Sequence, residues 1–200
     1  MNNSEVFTIK EVVSVHSGVV LQKTANLNVD KLTNTFVLML MTSDFDEDGV
    51  LLENLKPNAL YKSTLDKYFL KKGDLLFNAK GRRFFAVVYN GQYENAVPGS
   101  SFHVLKVRDQ FLSPEFLAWY LNHPETMKEF SKKLSTQNMP MVTKKELEEI
   151  KIYLPPLEVQ QKIVGLANLN NSKNRIQKKL ISLNETLINA ITYNKIKNEY

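Results

Sequence analysis

The sequence predicts an α+β fold: a compact, β-rich domain with peripheral helices over residues 1–154, then a long C-terminal helix over residues 155–200. Three observations predict it. Hydrophobic residues make up 43% of the chain beside only 7 Gly and 7 Pro, which is enough apolar material for a core and too few breakers for general disorder. Strand-like patterns dominate up to Val107 and helical ones from Ser113. At Leu154–Val164, LPPLEVQQKIV, two prolines close an extended stretch and a helix begins at once. Pro155 and Pro156 fix φ and lack N–H donors, so they suit a strand end and a helix's first turn. Glu158 then falls where the helix dipole favours an anion.

The elements follow in order. VFTIKEVVSVHSG reads as a short strand and then a helix, with Thr8 as N-cap, Glu11 completing a capping box and Gly18 as the stop. Thr35–Thr42, TFVLMLMT, is an apolar run of strand length and predicts a buried strand. SDFDEDG, Ser43–Gly49, is a turn cluster. FLKKGDLLFNAKG places a Lys-Gly-Asp turn before a strand at Leu75–Ala79. RRFFAVVYNG predicts another strand, closed by the hairpin signal Asn90-Gly91. SFHVLKV alternates and predicts a third. SPEFLAWYL has a Ser N-cap with Pro at the first helical position, HPETMKEFSKKL gives a second helix, and TKKELEEI a third with Thr143 as cap. KIYLPP is the closing strand.

The tail carries a heptad. With Leu180 as position a, the apolar a and d residues from Leu166 are Leu166, Leu169, Ile176, Leu180, Leu183, Leu187 and Ala190, interrupted by Lys173. A helix from Leu157 to Asn194 is roughly 55 Å long at ~1.5 Å per residue. One side of a small domain does not cover that length, so the stripe predicts pairing with another helix. A single amphipathic helix folded on its own domain is the alternative. Gly165 and the run Asn168, Asn170, Asn171, Ser172 predict a weak point in the helix.

Composition excludes several classes. The chain has no Cys, so disulfides, thiolate zinc sites and cysteine nucleophiles are ruled out. The N-terminus lacks the basic start and apolar core of a signal peptide, and the longest apolar run is too short to span a bilayer, so a cytoplasmic location is expected. No Gly-rich phosphate loop occurs, and His16, His103 and His123 have no metal-ligand spacing. Asp44, Asp46, Asp48 and Gly49 imitate the start of an EF-hand, but position 12 is Leu55, so an acidic surface turn is expected and no metal. The net charge of +5 is unevenly spread: residues 1–50 hold 3 basic and 7 acidic side chains, residues 51–100 hold 8 and 4, and residues 157–200 hold 7 and 3. Basic charge concentrated in the middle and the tail suits a phosphate backbone; an ordinary solvated surface is the alternative.

The junction KIYLPPLEVQQKIV, the heptad tail ISLNETLINAI, and the segment KKGDLLFNAKG at Lys71–Gly81 resemble the specificity subunits of type I restriction–modification systems. PEFLAWYL and the polar loop STQNMP, Ser135–Pro140, fall where that family has a helix and a polar loop. The resemblance implies a DNA target recognition domain followed by a spacer helix, with no catalysis or cofactor of its own. It implies double-stranded DNA and a modification (methyltransferase) subunit as partners, with a restriction subunit as a further one. S-adenosylmethionine chemistry then belongs to the modification subunit; the amino-methyltransferase signature, an Asn- or Asp-Pro-Pro followed by an aromatic, is absent here. The family's subunits carry two recognition domains and two helices, and this sequence has one of each. A homodimer through the C-terminal helix is therefore expected.

The best candidates for DNA contact lie in Gly-bearing loops: Asn78, Lys80, Arg82 and Arg83 around Gly81. Arg pairs bidentately with guanine and Asn with adenine in the major groove, whereas Lys80 suits phosphate. A solvated hairpin end is the alternative. By analogy with the family, Gln137 and Asn138 in the loop Ser135–Asn138 form a second group; capping a helix or turn is their alternative. Ser17 and Lys23 beside His16, and Ser100 and Ser101 after Gly99, are weaker candidates. Tyr61 and Lys62 are candidates for backbone contact only. An interaction protein that kept the helix but reads no DNA is the rival reading, and it predicts no salt-dependent DNA affinity.

Overall fold

β1 (Glu5–Thr8) leads into a single helical turn, α1 (Ile9–Val12), in the computed structural model, which describes residues 5–22, 36–134 and 140–199. The predicted capping box is present: Glu11 Oε2 accepts from the Thr8 N–H at 2.5 Å and from its hydroxyl at 2.6 Å. The helix does not continue to Gly18 as the pattern predicts. Val13–Ser17 is strand β2. Val13 and Val15 are buried at a spacing of two, and β8 (Phe102–Val107) gives them an antiparallel partner, in register from Val13↔Val107 to Ser17↔His103. β-branched residues with such a partner favour the pleated strand over a longer helix.

β3 (Phe36–Leu40) is the predicted buried strand. It lies between β4 (Ala59–Leu60), antiparallel, and β7 (Ala96–Pro98), parallel. Val37 through Leu40 are all buried, which explains an apolar run without alternation. β5 (Leu75–Asn78) follows the predicted turn, where Asp74 N–H donates to Lys71 O at 2.9 Å and Asp74 Oδ2 accepts from Lys71 N–H at 2.9 Å. β6 (Phe85–Val88) pairs antiparallel with β5. The hairpin therefore turns through residues 79–84. At Asn90-Gly91, Gly91 has a φ of +83° and Asn90 Oδ1 accepts from Gln92 N–H at 2.9 Å, but the predicted hairpin does not form, because the next strand, β7, joins the other sheet. A local turn signal cannot say which sheet the following strand enters.

Among the described residues, the sheets have the orders β2-β8-β5-β6, β4-β3-β7 and β1-β9, the last formed with β9 (Lys151–Leu154). One face of the four-stranded sheet offers Leu76, Phe85, Phe102 and Val104 to Leu38, Leu40, Phe45 and Ala96, in one core cluster. Phe77, on the opposite face, meets Phe130 at 5.4 Å between ring centroids. Phe130 belongs to α3 (Pro124–Leu134), preceded by α2 (Pro114–Asn122) and followed by α4 (Lys144–Glu148). Ser113 and Thr143 cap α2 and α4 as predicted, accepting from the Phe116 and Glu146 N–H groups. Asn122 of α2 closes the free edge of β6: its side chain accepts from Ala86 N–H at 2.8 Å and donates to Ala86 O at 2.7 Å.

α5 spans Leu157–Glu199 as one uninterrupted helix, including Gly165 and residues 168–172, where the composition predicts a weak point. The chain divides into two compact units, residues 1–160 and residues 161–200. The first turn of α5 is built into the former through Gln160, which is fully buried. Its amide donates to Phe111 O at 2.6 Å and Pro155 O at 2.8 Å and accepts from Ser113 N–H at 2.9 Å. In the second unit the predicted stripe is exposed to solvent: Leu166 and Leu169 each 71%, Ile176 69%, Leu180 57%, Leu183 56% and Leu187 57%, with Ala190 exposed as well.

Candidate nucleic-acid interface

The registers Ser17↔His103, Phe102↔Asn78 and Asn78↔Phe85 bring the end of β2, the start of β8, the end of β5 and the start of β6 to one end of the four-stranded sheet. Two glycines make the approach possible. Gly18 N–H donates to Phe102 O at 2.9 Å, and a Cβ on Gly18 would stand 2.2 Å from Gly99 O. No side chain fits there.

The loop from Ala79 to Phe84 turns at Gly81, whose φ is +94°. Asn78 organises it from beneath. It is fully buried, its Nδ2 donates to the carbonyls of Lys80 at 3.2 Å and Arg83 at 2.5 Å, and its Oδ1 accepts from the Thr42 hydroxyl at 3.0 Å. A side chain so committed does not reach a base, so its predicted role changes from reader to scaffold. Arg83 is half-buried. Its Nη1 donates to Asp46 O at 2.8 Å and its guanidinium lies 4.6 Å from the centre of the Phe85 ring. Lys80 and Arg82 are exposed.

A second segment is stitched to this loop. Lys80 and Met141 form an antiparallel bridge, Gly81 N–H donates to Pro140 O at 3.0 Å, and Val142 N–H donates to Ala79 O at 2.8 Å. Ala79 N–H donates in turn to Ser101 O at 2.8 Å. His103 secures the far side, its Nε2 lying 3.0 Å from Val142 O. A carbonyl only accepts, so Nε2 carries the proton and Nδ1 is the acceptor, buried without a partner. Burial pushes the His103 pKa below its ordinary 6.5; the bond to Val142 O works in the other direction, and the Lys80 and Lys144 ammonium groups add to the lowering.

Of the predicted contact residues, the fold brings Ser17, Lys80, Arg82, Arg83, Ser100 and Ser101 to this one sheet end, with Ser17, Ser100, Lys80 and Arg82 exposed. Lys23, Gln137 and Asn138 lie outside the described residues. Tyr61 is elsewhere engaged, its hydroxyl donating to Asp66 Oδ1 at 2.8 Å. The sequence reading missed Thr42, Met141 and Lys144. Thr42 gave no signal, because its contact with Asn78 spans 36 residues. Lys144 was findable from the Thr143 cap that precedes it, and Met141 from the loop it follows. The turn at Asp44–Gly49 uses its carboxylates internally: Asp46 Oδ1 accepts from Asp48 and Val50 N–H groups at 2.9 and 2.7 Å, and Asp44 Oδ2 from Met41 N–H at 2.7 Å. It places acidic charge beside Arg83, on one flank of the basic loop. Among the described residues no cluster of His, Asp or Glu is placed to hold a metal.

Chemically, this sheet end offers exposed cations and hydroxyls on a rigid, hydrogen-bonded base. That suits contact with a polyanion.

Comparison with known proteins bears on the family and the fold. The model of the type I restriction modification DNA specificity domain matches residues 1–191. A putative type I restriction enzyme MjaX specificity subunit from Methanocaldococcus jannaschii is 27% identical over 188 residues, 90% of this chain and 43% of that protein. The HsdS subunit from Thermoanaerobacter tengcongensis has a similar fold, with a TM-score of 0.56 at 21% identity, covering 88% of this chain and 39% of that one. A chain from a structural study of complex assembly and conformational transition in a type I R-M system gives 0.57 at 22% identity, covering 88% and 40%. The chain thus spans about two fifths of the length of these relatives.

Proposed function

This chain belongs to the type I restriction–modification DNA specificity family, and we propose on that premise that it is a non-catalytic module reading one half-site of double-stranded DNA. The observation that carries the reading is the convergence of Ser17, Lys80, Arg82 and Ser100, from three separate stretches of sequence, on one sheet end. Arg82 reads a base edge in the major groove, Lys80 meets phosphate, and the segment that rejoins the sheet at Pro140 supplies the second reading element. Asn78 and His103 hold these loops without touching DNA.

α5 is the spacer and the assembly surface. Its exposed stripe pairs with the helix of a second copy, which places two reading heads at a fixed separation with two-fold symmetry. The paired helices dock the modification subunit, which brings S-adenosylmethionine and the methyl transfer. The chain is read as cytoplasmic; among its described residues no helix is long and apolar enough to cross a membrane.

The test is mapping of methylated sites in cells that carry this chain with a cognate modification subunit. The expected result is methylation at a defined site that shifts or disappears with Arg82→Ala. Purified chain should bind DNA with an affinity that falls steeply with salt. Subunit binding without any salt-dependent DNA affinity would support the interaction protein that reads no DNA.

A further inference from the structure

Beside the reading surface, which it meets at Ser17, a cleft of about 350 Å³ lies against the face of the four-stranded sheet that carries His16, Val104 and Lys106. The segment Lys67–Leu70, Asp74 and Pro98 complete its lining. The volume lies at the lower end of the range for small-molecule sites. Its apolar part is supplied by Val104, Leu70 and Pro98, all buried. Two half-buried rings, Tyr68 and Phe69, stand in the wall.

The charges in this cleft sum to a cation. Asp74 is its one carboxylate, 8% exposed, and it is already satisfied: Lys106 Nζ stands 3.4 Å from Oδ2, and Lys71 N–H donates to the same oxygen at 2.9 Å. Lys67 then remains as positive charge at the mouth, its Nζ 5.1 Å from the centre of the Tyr68 ring. The exposed imidazole of His16 completes the polar lining. An apolar slot with aromatic walls and a cationic mouth matches a flat ring that carries an anion.

We propose that this cleft binds a nucleotide: the base enters against Tyr68 and Phe69, and the phosphate meets Lys67 and His16. The chemistry is the same for a free mononucleotide and for an extrahelical nucleotide of bound DNA. The cleft borders the reading surface at Ser17 but contains neither Lys80 nor Arg82, so nucleotide binding at Lys67 and Tyr68 stands whether or not those loops read DNA.

The experiment is calorimetric titration of the full chain with adenosine 5′-monophosphate, and separately with adenosine and with inorganic phosphate. Monophosphate should bind more tightly than either fragment. Lys67→Glu and Tyr68→Ala should each weaken it about tenfold or more, the equivalent of a lost charge-assisted or stacking contact. Arg82→Ala should leave it unchanged. No heat with monophosphate at millimolar concentration, or equal binding to the Lys67→Glu and Tyr68→Ala variants that retain wild-type circular dichroism, would overturn the proposal. So would loss of binding in Arg82→Ala, which would place the nucleotide on the reading loops. Repeating the titration with duplex DNA present separates the sources: competition identifies a nucleotide of the DNA, and independence identifies a free nucleotide. If DNA binding itself fails while monophosphate still binds, the reading-head assignment falls and the cleft stands.

Discussion

Asn78 and Arg82 sit four residues apart in one loop and have opposite fates. Asn78 is fully buried with its amide satisfied at both ends, whereas Arg82 projects into solvent. Arg82→Ala should therefore leave the unfolding midpoint unchanged and weaken DNA binding by ~1–3 kcal/mol, measured by titration at fixed salt. Asn78→Ala should do the reverse at the first step. It strips partners from Thr42, Lys80 and Arg83 and should cost about 1–3 kcal/mol of stability by urea denaturation. His103 adds a pH signature. Its folded pKa lies below the unfolded 6.5, so the unfolded chain binds more protons in the window between them. The contribution of neutral His103 is fully present above about pH 6.5 and is lost as pH falls toward the folded pKa. His103→Gln keeps a donor for Val142 O but cannot titrate. The difference in urea midpoint between pH 7.5 and pH 5.5 should shrink in that variant.

Among the elements, the start of α5 is fastened to the domain by one side chain. Gln160 joins the helix to the loop before α2 and to the Pro155 carbonyl. Gln160→Ala leaves three part-buried backbone groups without their side-chain partner and should destabilise the globular unit by about 1–3 kcal/mol, read as a shift in denaturation midpoint. The rest of α5 is governed by pattern. Leu180→Lys and Leu187→Lys together should convert a dimer to a monomer in sedimentation at micromolar concentration, with the helical signal falling as the pairing is lost. A monomeric parent chain, or a pair of variants that changes nothing, would remove the helix-pairing assignment.

For the whole molecule, the consequence is symmetry. Two identical reading heads related by a two-fold axis recognise two identical half-sites in inverted order, separated by bases that are not read. Methylation mapping should return an interrupted palindrome. An asymmetric target would mean that the second head differs from the first, and that a longer polypeptide or a second gene product supplies it.

Sequence alone determined the parts whose causes are local. Capping residues placed α2 and α4, the double proline placed the start of α5, and the apolar run placed β3, because each depends on neighbours within a few residues. The heptad in the tail was legible for the same reason, since a helix repeats its own geometry. Tertiary structure alone decided the parts whose causes lie far along the chain. β2 is a strand because β8, some ninety residues on, pairs with it. Asn90-Gly91 closes no hairpin because β7 belongs beside β3. Asn78 looked like a base reader until the fold set Thr42 against it and buried it. Residue type and spacing announce what a side chain is able to bind. Which groups are near enough to claim it first is settled only when distant strands come into register.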